Sequence, residues 1–208
     1  VVLDPETGIV SAMIDGTYLT QLRTGAVQGA GTDLLARQDA TVGALIGTGG
    51  QAASQLEAML TARPLKEVRV FDINLERAPA FVAQMEELLS EFETTFIALD
   101  DISAVVQGAD VITTVTTSKQ PTFKAEDVKE GAHINGVGAY TPEMKEVPAG
   151  IIARADRIIF DTMDGVLAEA GDFISPLEDE VITEADYHGE LGQVVREEVA
   201  GRASDKDI

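Results

Sequence analysis

Residues 44–55 read ALIGTGGQAASQ, an apolar run that meets glycines at 47, 49 and 50 and then breaks into a helical pattern. These types at this spacing suit the binding of a pyrophosphate. Gly47 permits a tight turn, Gly49 leaves no side chain where a phosphate must approach the backbone, and Ala52 is small enough for a helix to pack on a strand. A helix beginning near Gln51 aims free amides and a positive dipole end at the same place. Glycine-rich turns are common, so the surroundings must discriminate: a strand before, a helix after and an acid ending the next strand. Asp72 ends the run EVRVFD, 72 − 47 = 25 residues beyond the first glycine. A separation of about 20 is expected for an acid that binds an adenosine ribose. That carboxylate would repel a 2′-phosphate, which favours NAD over NADP. The alternative is a plain turn with an incidental aspartate.

Three further stretches carry chemistry. TTVTTSKQP (113–121) places Thr116 and Ser118 at a strand end, where they either face a bound cofactor or merely end a threonine-rich strand. INGVGAYTPEMKEV (134–147) holds Gly136 and Gly138, which let backbone approach a flat ring. LRTGA offers Arg23 and Thr24, a cation and a hydroxyl suited to a phosphate or carboxylate, or else an exposed arginine in a surface salt bridge.

The elements that must position these groups follow a simple rhythm. VVLDPETGIVSAMID reads as a hairpin turning at Pro5–Gly8, and the next stretch, through Arg37, as a helix. In that helix Leu19, Leu22, Ala26, Gly29, Ala30, Asp33, Leu34 and Arg37 recur at helical spacing, and its small residues predict close packing. Strands are predicted at 41–46, 67–71, 94–99, DVITTVTT, AHINGVGA and DRIIFDT, with helices at 51–62 and 75–90 and a short one capped by Asp101. Continuous apolar strands alternating with helices predict an α/β fold, a doubly wound and mostly parallel sheet covered on both faces.

Composition narrows the partners. Fifteen lysines and arginines stand against 36 aspartates and glutamates, a formal charge of −21, which disfavours nucleic acid. There is no cysteine, so disulfides and thiol chemistry are excluded and a cytoplasmic enzyme is expected. His133 and His188 have no metal-ligand spacing, and no metal is expected. No apolar run has membrane-spanning length.

LTQLRTGA, IGTGGQA, VFD, ADVITTVTTSKQP, GAHINGVGAYTPEMKEV, AEAGD and ELGQVV, in this order, resemble the ornithine cyclodeaminase/mu-crystallin family over nearly the whole chain. The resemblance implies a Rossmann-type domain over 39–208. Residues 1–38 would then be a remnant of a substrate and dimerisation domain with its connecting helix, both ends reading as cuts in something longer. It assigns Arg23 to the neighbourhood of the cofactor and substrate carboxylate, and the amides of Gly50 and Gln51 to the pyrophosphate. Asp72 falls to the ribose, Thr116 to the side of the cofactor, and Ile134, Asn135, Gly136 and Val137 to the strand end against the nicotinamide. It further implies a homodimer acting on a small amino or imino acid, by hydride transfer at Cα with NAD, when full length. The fragment itself is expected to be inactive. Cyclodeaminases of the family carry an aspartate two residues after the glycine equivalent to Gly138; this chain has Tyr140, and Met144 replaces the usual lysine. Those departures resemble the reductases and amino-acid dehydrogenases of the family. An ornithine cyclodeaminase and a non-catalytic mu-crystallin-like binder are the alternatives.

Overall fold

Strands that are apolar at every position need cover on both faces, and the computed structural model, which describes all 208 residues, supplies it. An antiparallel hairpin, β1 (Val2–Leu3) and β2 (Val10–Ala12), leads into a long helix, α1 (Gly16–Leu35), capped by the Asp15 side chain, which accepts from the Tyr18 amide. Strands and helices then alternate: β3 (Val42–Ile46), α2 (Ala52–Ala62), β4 (Glu67–Phe71), α3 (Arg77–Leu88), β5 (Thr95–Ala98), α4 (Ile102–Val106), β6 (Val111–Thr114) and β7 (His133–Gly136). The five strands β3–β7 form one parallel sheet in the order β5-β4-β3-β6-β7. The order reverses between β3 and β6, and such a switch opens a crevice beyond the carboxyl ends of the strands. The expected doubly wound α/β fold is the one observed.

Alternation along the strands divides the core. Leu45, Val68, Val70 and Val111 pack with Leu56 and Met59 of α2 and Phe81, Val82 and Met85 of α3. Ala44, Ile46 and Ile112 turn the other way, onto Val105 and Val106 of α4 and Ile151 of a short helix, α5 (Ala149–Ile152). Each large side chain buried in this way contributes about 1.5–3 kcal/mol. Asp101 caps α4 as expected, accepting from the Ser103 amide at 3.0 Å.

Helix α1 departs from its expected face. Leu19, Leu22 and Leu34 are exposed, whereas Gly25, Gln28 and Thr32 are buried. The cause is close packing on α2: a Cβ at Gly25 would stand 2.7 Å from the Ser54 carbonyl oxygen, and one at Gly29 would stand 3.2 Å from the Ala58 Cβ. Glycine therefore selects the buried face, and the leucines point outward. The last carbonyls of α1 are satisfied from α2, where buried Arg63 donates to Asp33 O, Ala36 O and Arg37 O at 2.6–2.8 Å.

The expected sixth strand is shorter and lies elsewhere. Ile159–Phe160 (β8) pairs with Gly189–Glu190 (β9) in a separate two-stranded parallel sheet. Phe160 meets Phe173 and Tyr187 edge to face at 4.9 and 5.1 Å, in a third cluster with Ile152, Ile158 and Ile182. This local aromatic core draws β8 away from β7. Helices α6 (Met163–Glu169), α7 (Gly171–Glu178) and α8 (Leu191–Val195) complete the region. No helix is long and apolar enough to cross a membrane.

At the amino ends of the central strands, Asp110 accepts from the Thr41 and Val42 amides at 2.8 and 2.9 Å and from Lys129 Nζ at 2.6 Å. Burial alone would raise its carboxyl, but the Lys129 contact and the two amides outweigh burial and hold it below the usual value of 3.8. A depressed carboxyl contributes stability that is present above the unfolded value and lost as pH falls through the folded one. Asp110→Ala should therefore cost about 2 kcal/mol near neutral pH, mostly from the two stranded amides. Urea denaturation should show that difference shrinking below pH 3.8, where wild type loses the ionised contact as well.

Candidate functional site

The chain leaves β3 through Gly47, whose φ of +101° is a conformation that favours glycine. Its surroundings admit nothing else, because a Cβ there would lie 2.7 Å from Val115 O and 2.8 Å from Thr116 Cγ2. Gly49 is the opposite case: exposed, with nothing within 4 Å of where a Cβ would stand. The amides of Gly49, Gly50 and Gln51 donate to no protein acceptor, and no side chain caps α2. Ala52 is fully buried against the sheet. Bare backbone, open donors and a helix N-terminus converge on one spot, an arrangement with the geometry and charge to hold an anion.

Asp72, at the end of β4, locks this loop. Its Oδ2 accepts from the Thr48 amide at 2.9 Å and the Thr48 hydroxyl at 2.6 Å, and its Oδ1 from the Asn74 amide at 2.9 Å. Burial pushes this carboxyl up, and the Thr48 and Asn74 hydrogen bonds more than reverse it, so it is ionised at neutral pH. Arg77, at the start of α3, lies 4.0 Å from Asp72 Oδ2 and donates to Thr48 O at 3.1 Å. Arg77 is a cation beside Asp72 that sequence reasoning did not single out.

Across the crevice, β6 and β7 end side by side at Thr114 and Gly136, and the chain runs on from them to Thr116 and Gly138. Thr116 touches the glycine loop through the contact at Gly47. Gly136 is exposed and Val137 half-buried at the edge. Half-buried Ile134 packs on the core under α4 and α5 and, like Asn135, also lines a cavity beside β7. The Asn135 Nδ2 donates to Thr32 Oγ1 at 3.0 Å and Thr113 Oγ1 at 3.2 Å, and its Oδ1 lies 2.9 Å from His133 Nε2. Burial drives His133 down to about 4, so the ring is neutral at pH 7 and donates to Asn135. Gln28 of α1 joins the same network through Thr32, at 2.8 Å. Ser118 spends its hydroxyl on its own turn, donating to Gln120 O.

A cavity of about 480 Å³ opens between α1, β7 and the β8 region, lined by Arg23, Thr24, Gly136, Val137, Tyr140 and Asp172 among others. Arg23 is exposed and forms no ion pair, so the surface salt bridge weighed for it is not made. The glycine loop and this cavity are bridged by the start of α1, where Gln21 Nε2 lies 3.9 Å from a Cβ placed on Gly50.

Two buried carboxylates were not foreseen as site residues. Glu146 accepts from the amides of Thr116 and Gly138, and Asp172 Oδ1 accepts from the amides of Glu146 and Val147 at 2.7 and 3.0 Å. Their only sequence signal was membership of the motifs MKEV and AEAGD, which says nothing about partners.

The contrast between the first two glycines is directly testable. Gly47→Ala should lower the melting temperature markedly, costing about 2–4 kcal/mol from positive φ and overpacking together. Gly49→Ala should leave it within error. Thermal melts of both variants check this, and equal losses would contradict the geometry.

Comparison with known proteins places the site in context. The chain matches the model of the ornithine cyclodeaminase/mu-crystallin family over residues 1–208. It is 36% identical over 205 residues to a Delta(1)-pyrroline-2-carboxylate reductase of Bacillus cereus, covering 99% of this chain and 62% of that protein. Among solved structures, it resembles Thermococcus litoralis Delta(1)-pyrroline-2-carboxylate reductase in complex with NADH and L-proline, with a TM-score of 0.94 and 32% identity. That alignment covers 99% of this chain and 62% of the other. An archaeal alanine dehydrogenase dimer with bound NAD aligns with a TM-score of 0.89 and 33% identity, covering 99% of this chain and 62% of that one. The chain thus spans about three fifths of the length of these relatives. By the match along its whole length and the fold that carries it, this protein belongs to the ornithine cyclodeaminase/mu-crystallin family.

Proposed function

We propose that the chain forms the NAD(H)-binding part of an oxidoreductase acting at the Cα of a small amino or imino acid, in the manner of a ketimine reductase. The observation that carries this reading is the open cradle of Gly49, Gly50 and Gln51 amides at the switch point, with ionised Asp72 beside it. Relatives whose solved structures hold NADH or NAD support it. In this reading Gly47, Gly49, Gly50, Gln51 and Ala52 hold the pyrophosphate, and Asp72 accepts from the adenosine ribose. Thr116, Gly136 and Val137 line the nicotinamide side. When bound, the cofactor supplies or accepts a hydride at nicotinamide C4.

The chain's own residues do the rest. Arg23 and Thr24 face the cavity from α1, where an unpaired guanidinium suits a substrate carboxylate. The buried Gln28–Thr32–Asn135 network holds that helix against β6 and β7, so the carboxylate anchor and the strand ends keep a fixed relation. Apolar Val137 and Val147 on the same wall exclude water from the reacting carbon. Tyr140, 60% exposed on the rim, stands where cyclodeaminases of the family carry an aspartate. A phenol hydroxyl can donate or accept a hydrogen bond but is not a carboxylate, and it supplies no standing negative charge for a second ammonium. This favours imine reduction over the cyclisation of ornithine. The exposed apolar side chains of the β1–β2 hairpin and the start of α1, among them Val2, Ile9, Val10, Tyr18 and Leu22, support assembly with a second copy.

Fluorescence titration should show NADH binding more tightly than NADPH. Asp72→Ser should narrow that preference by about 1–3 kcal/mol, since it removes a repulsive charge and leaves Arg77 free for a 2′-phosphate. Tighter binding of NADPH by wild type would overturn the role of Asp72.

The full-length protein should reduce a cyclic imino acid with NADH at least about 100-fold faster than it converts ornithine to proline, the scale of a lost buried charge pair. Following NADH consumption with Δ1-pyrroline-2-carboxylate, and proline and ammonia release from ornithine, decides between the two. Faster ornithine conversion would mean that another carboxylate replaces the missing aspartate.

A further inference from the structure

Glu146 is fully buried and forms no ion pair with a lysine or arginine. Such a carboxylate is costly in a core, and an apolar residue of similar size would ordinarily pack there more favourably. Both of its oxygens are used on main chain: Oε1 accepts from the Thr116 amide and Oε2 from the Gly138 amide. These amides lie beyond the ends of β6 and β7, 138 − 116 = 22 residues apart in sequence. Two acceptor atoms on one rigid plane suit two N–H groups set apart in this way; a glutamine would turn a donor NH2 toward one of them. The strand ends are pressed together at this joint, and a Cβ on Gly138 would stand 2.7 Å from Glu146 Oε2 and closer still to the Thr116 backbone.

Glu146 is itself held. Asp172, near the start of α7, accepts from the Glu146 and Val147 amides. On the other side, Lys145 N donates to Ser118 O and Thr122 N to Glu146 O, both at 2.8 Å, so the segment is stitched along the chain leaving β6. Burial raises the carboxyls of Glu146 and Asp172, and the Asp172 charge raises Glu146 further, yet four main-chain amides are committed to them.

We propose that Glu146 is a positioning residue for the nicotinamide half of the crevice, clamping the ends of β6 and β7 into one wall, with Asp172 holding the clamp. The glycine loop meets this wall at Gly47, against Val115 and Thr116, but the open amides of Gly49, Gly50 and Gln51 and the carboxylate of Asp72 stand on the β3–β4 side and make no hydrogen bond to Glu146 or Asp172. The clamp therefore acts on one half of a dinucleotide and spares the other. This inference rests on the NAD(H) reading above, and it goes beyond that reading by separating the two halves of the site.

The test compares NADH with ADP-ribose, which lacks the nicotinamide, by calorimetric titration of wild type, Glu146→Gln and Asp172→Asn, with circular dichroism on each. Wild type should bind NADH more tightly than ADP-ribose. In Glu146→Gln the NADH affinity should fall about tenfold and the ADP-ribose affinity stay within about twofold, as expected for one misplaced wall. Asp172→Asn should show the same pattern more weakly, and it decides the matter if Glu146→Gln does not fold. Wild type that binds neither ligand would refute the NAD(H) reading and the clamp together. Wild type that binds both, with variants that keep full NADH affinity or lose both ligands in step, would refute the clamp alone.

Discussion

The backbone of Gly47 lies against the backbone of Val115 at the centre of the sheet, and the rest of the site depends on that contact. β3 and β6 are neighbours whose chains leave in different directions, and only a residue without a side chain lets them separate at this height. The turn at Gly47 delivers the Thr48 amide and hydroxyl to Asp72, which ties the end of β4 to the loop. It also starts α2 with its first amides open and its axis aimed at the crevice. A side chain at 47 would disturb all of these together, since they share one short segment.

A second regularity runs through the whole domain: buried carboxylates fasten the sheet by accepting pairs of main-chain amides. Asp110 does this at the amino ends of the strands, with Thr41 and Val42. Asp72 does it at the opposite end with Thr48 and Asn74, Glu146 with Thr116 and Gly138, and Asp172 with Glu146 and Val147. Their titration differs for a physical reason. Asp110 is held low against burial by Lys129 and its two amides, and Asp72 by the Thr48 hydroxyl and the Asn74 and Thr48 amides, with Arg77 adding least. Glu146 has no cation, is more deeply buried and faces the Asp172 charge, so it is raised. The acidic composition thus includes structural fasteners at both ends of the sheet.

Much of the fold was legible because it follows from periodicity. β4 occupies Glu67–Phe71, the bounds expected for it, and α2 begins within a residue of the expected start. The glycine loop was legible because its requirements are local: a turn at 47, open space at 49, a small residue at 52. Helix α1 packs closely through small residues as expected, Gly29 among them, but the leucines grouped with Gly29 by spacing are exposed and the buried positions are Gly25, Gln28 and Thr32. A hydrophobic pattern says which residues favour burial, but only the partner helix decides whose backbone can approach. The sixth strand failed similarly, since nothing in DRIIFDT announces that Phe160 will find Phe173 and Tyr187.

The sequence alone determined the alternation of strands and helices, the phosphate-type loop, the acid at the end of β4 and the family to which the chain belongs. These properties are encoded within a few residues or in the order of motifs, so a linear reading reaches them. The tertiary structure decided which face of α1 is buried, where β8 pairs, and that Arg77 stands beside Asp72. It alone brought Glu146 to the Thr116 and Gly138 amides and Asp172 to Glu146. Hydrogen bonds between groups 8 to 30 residues apart leave no periodic trace, because they depend on how packed elements converge rather than on what lies next in the chain.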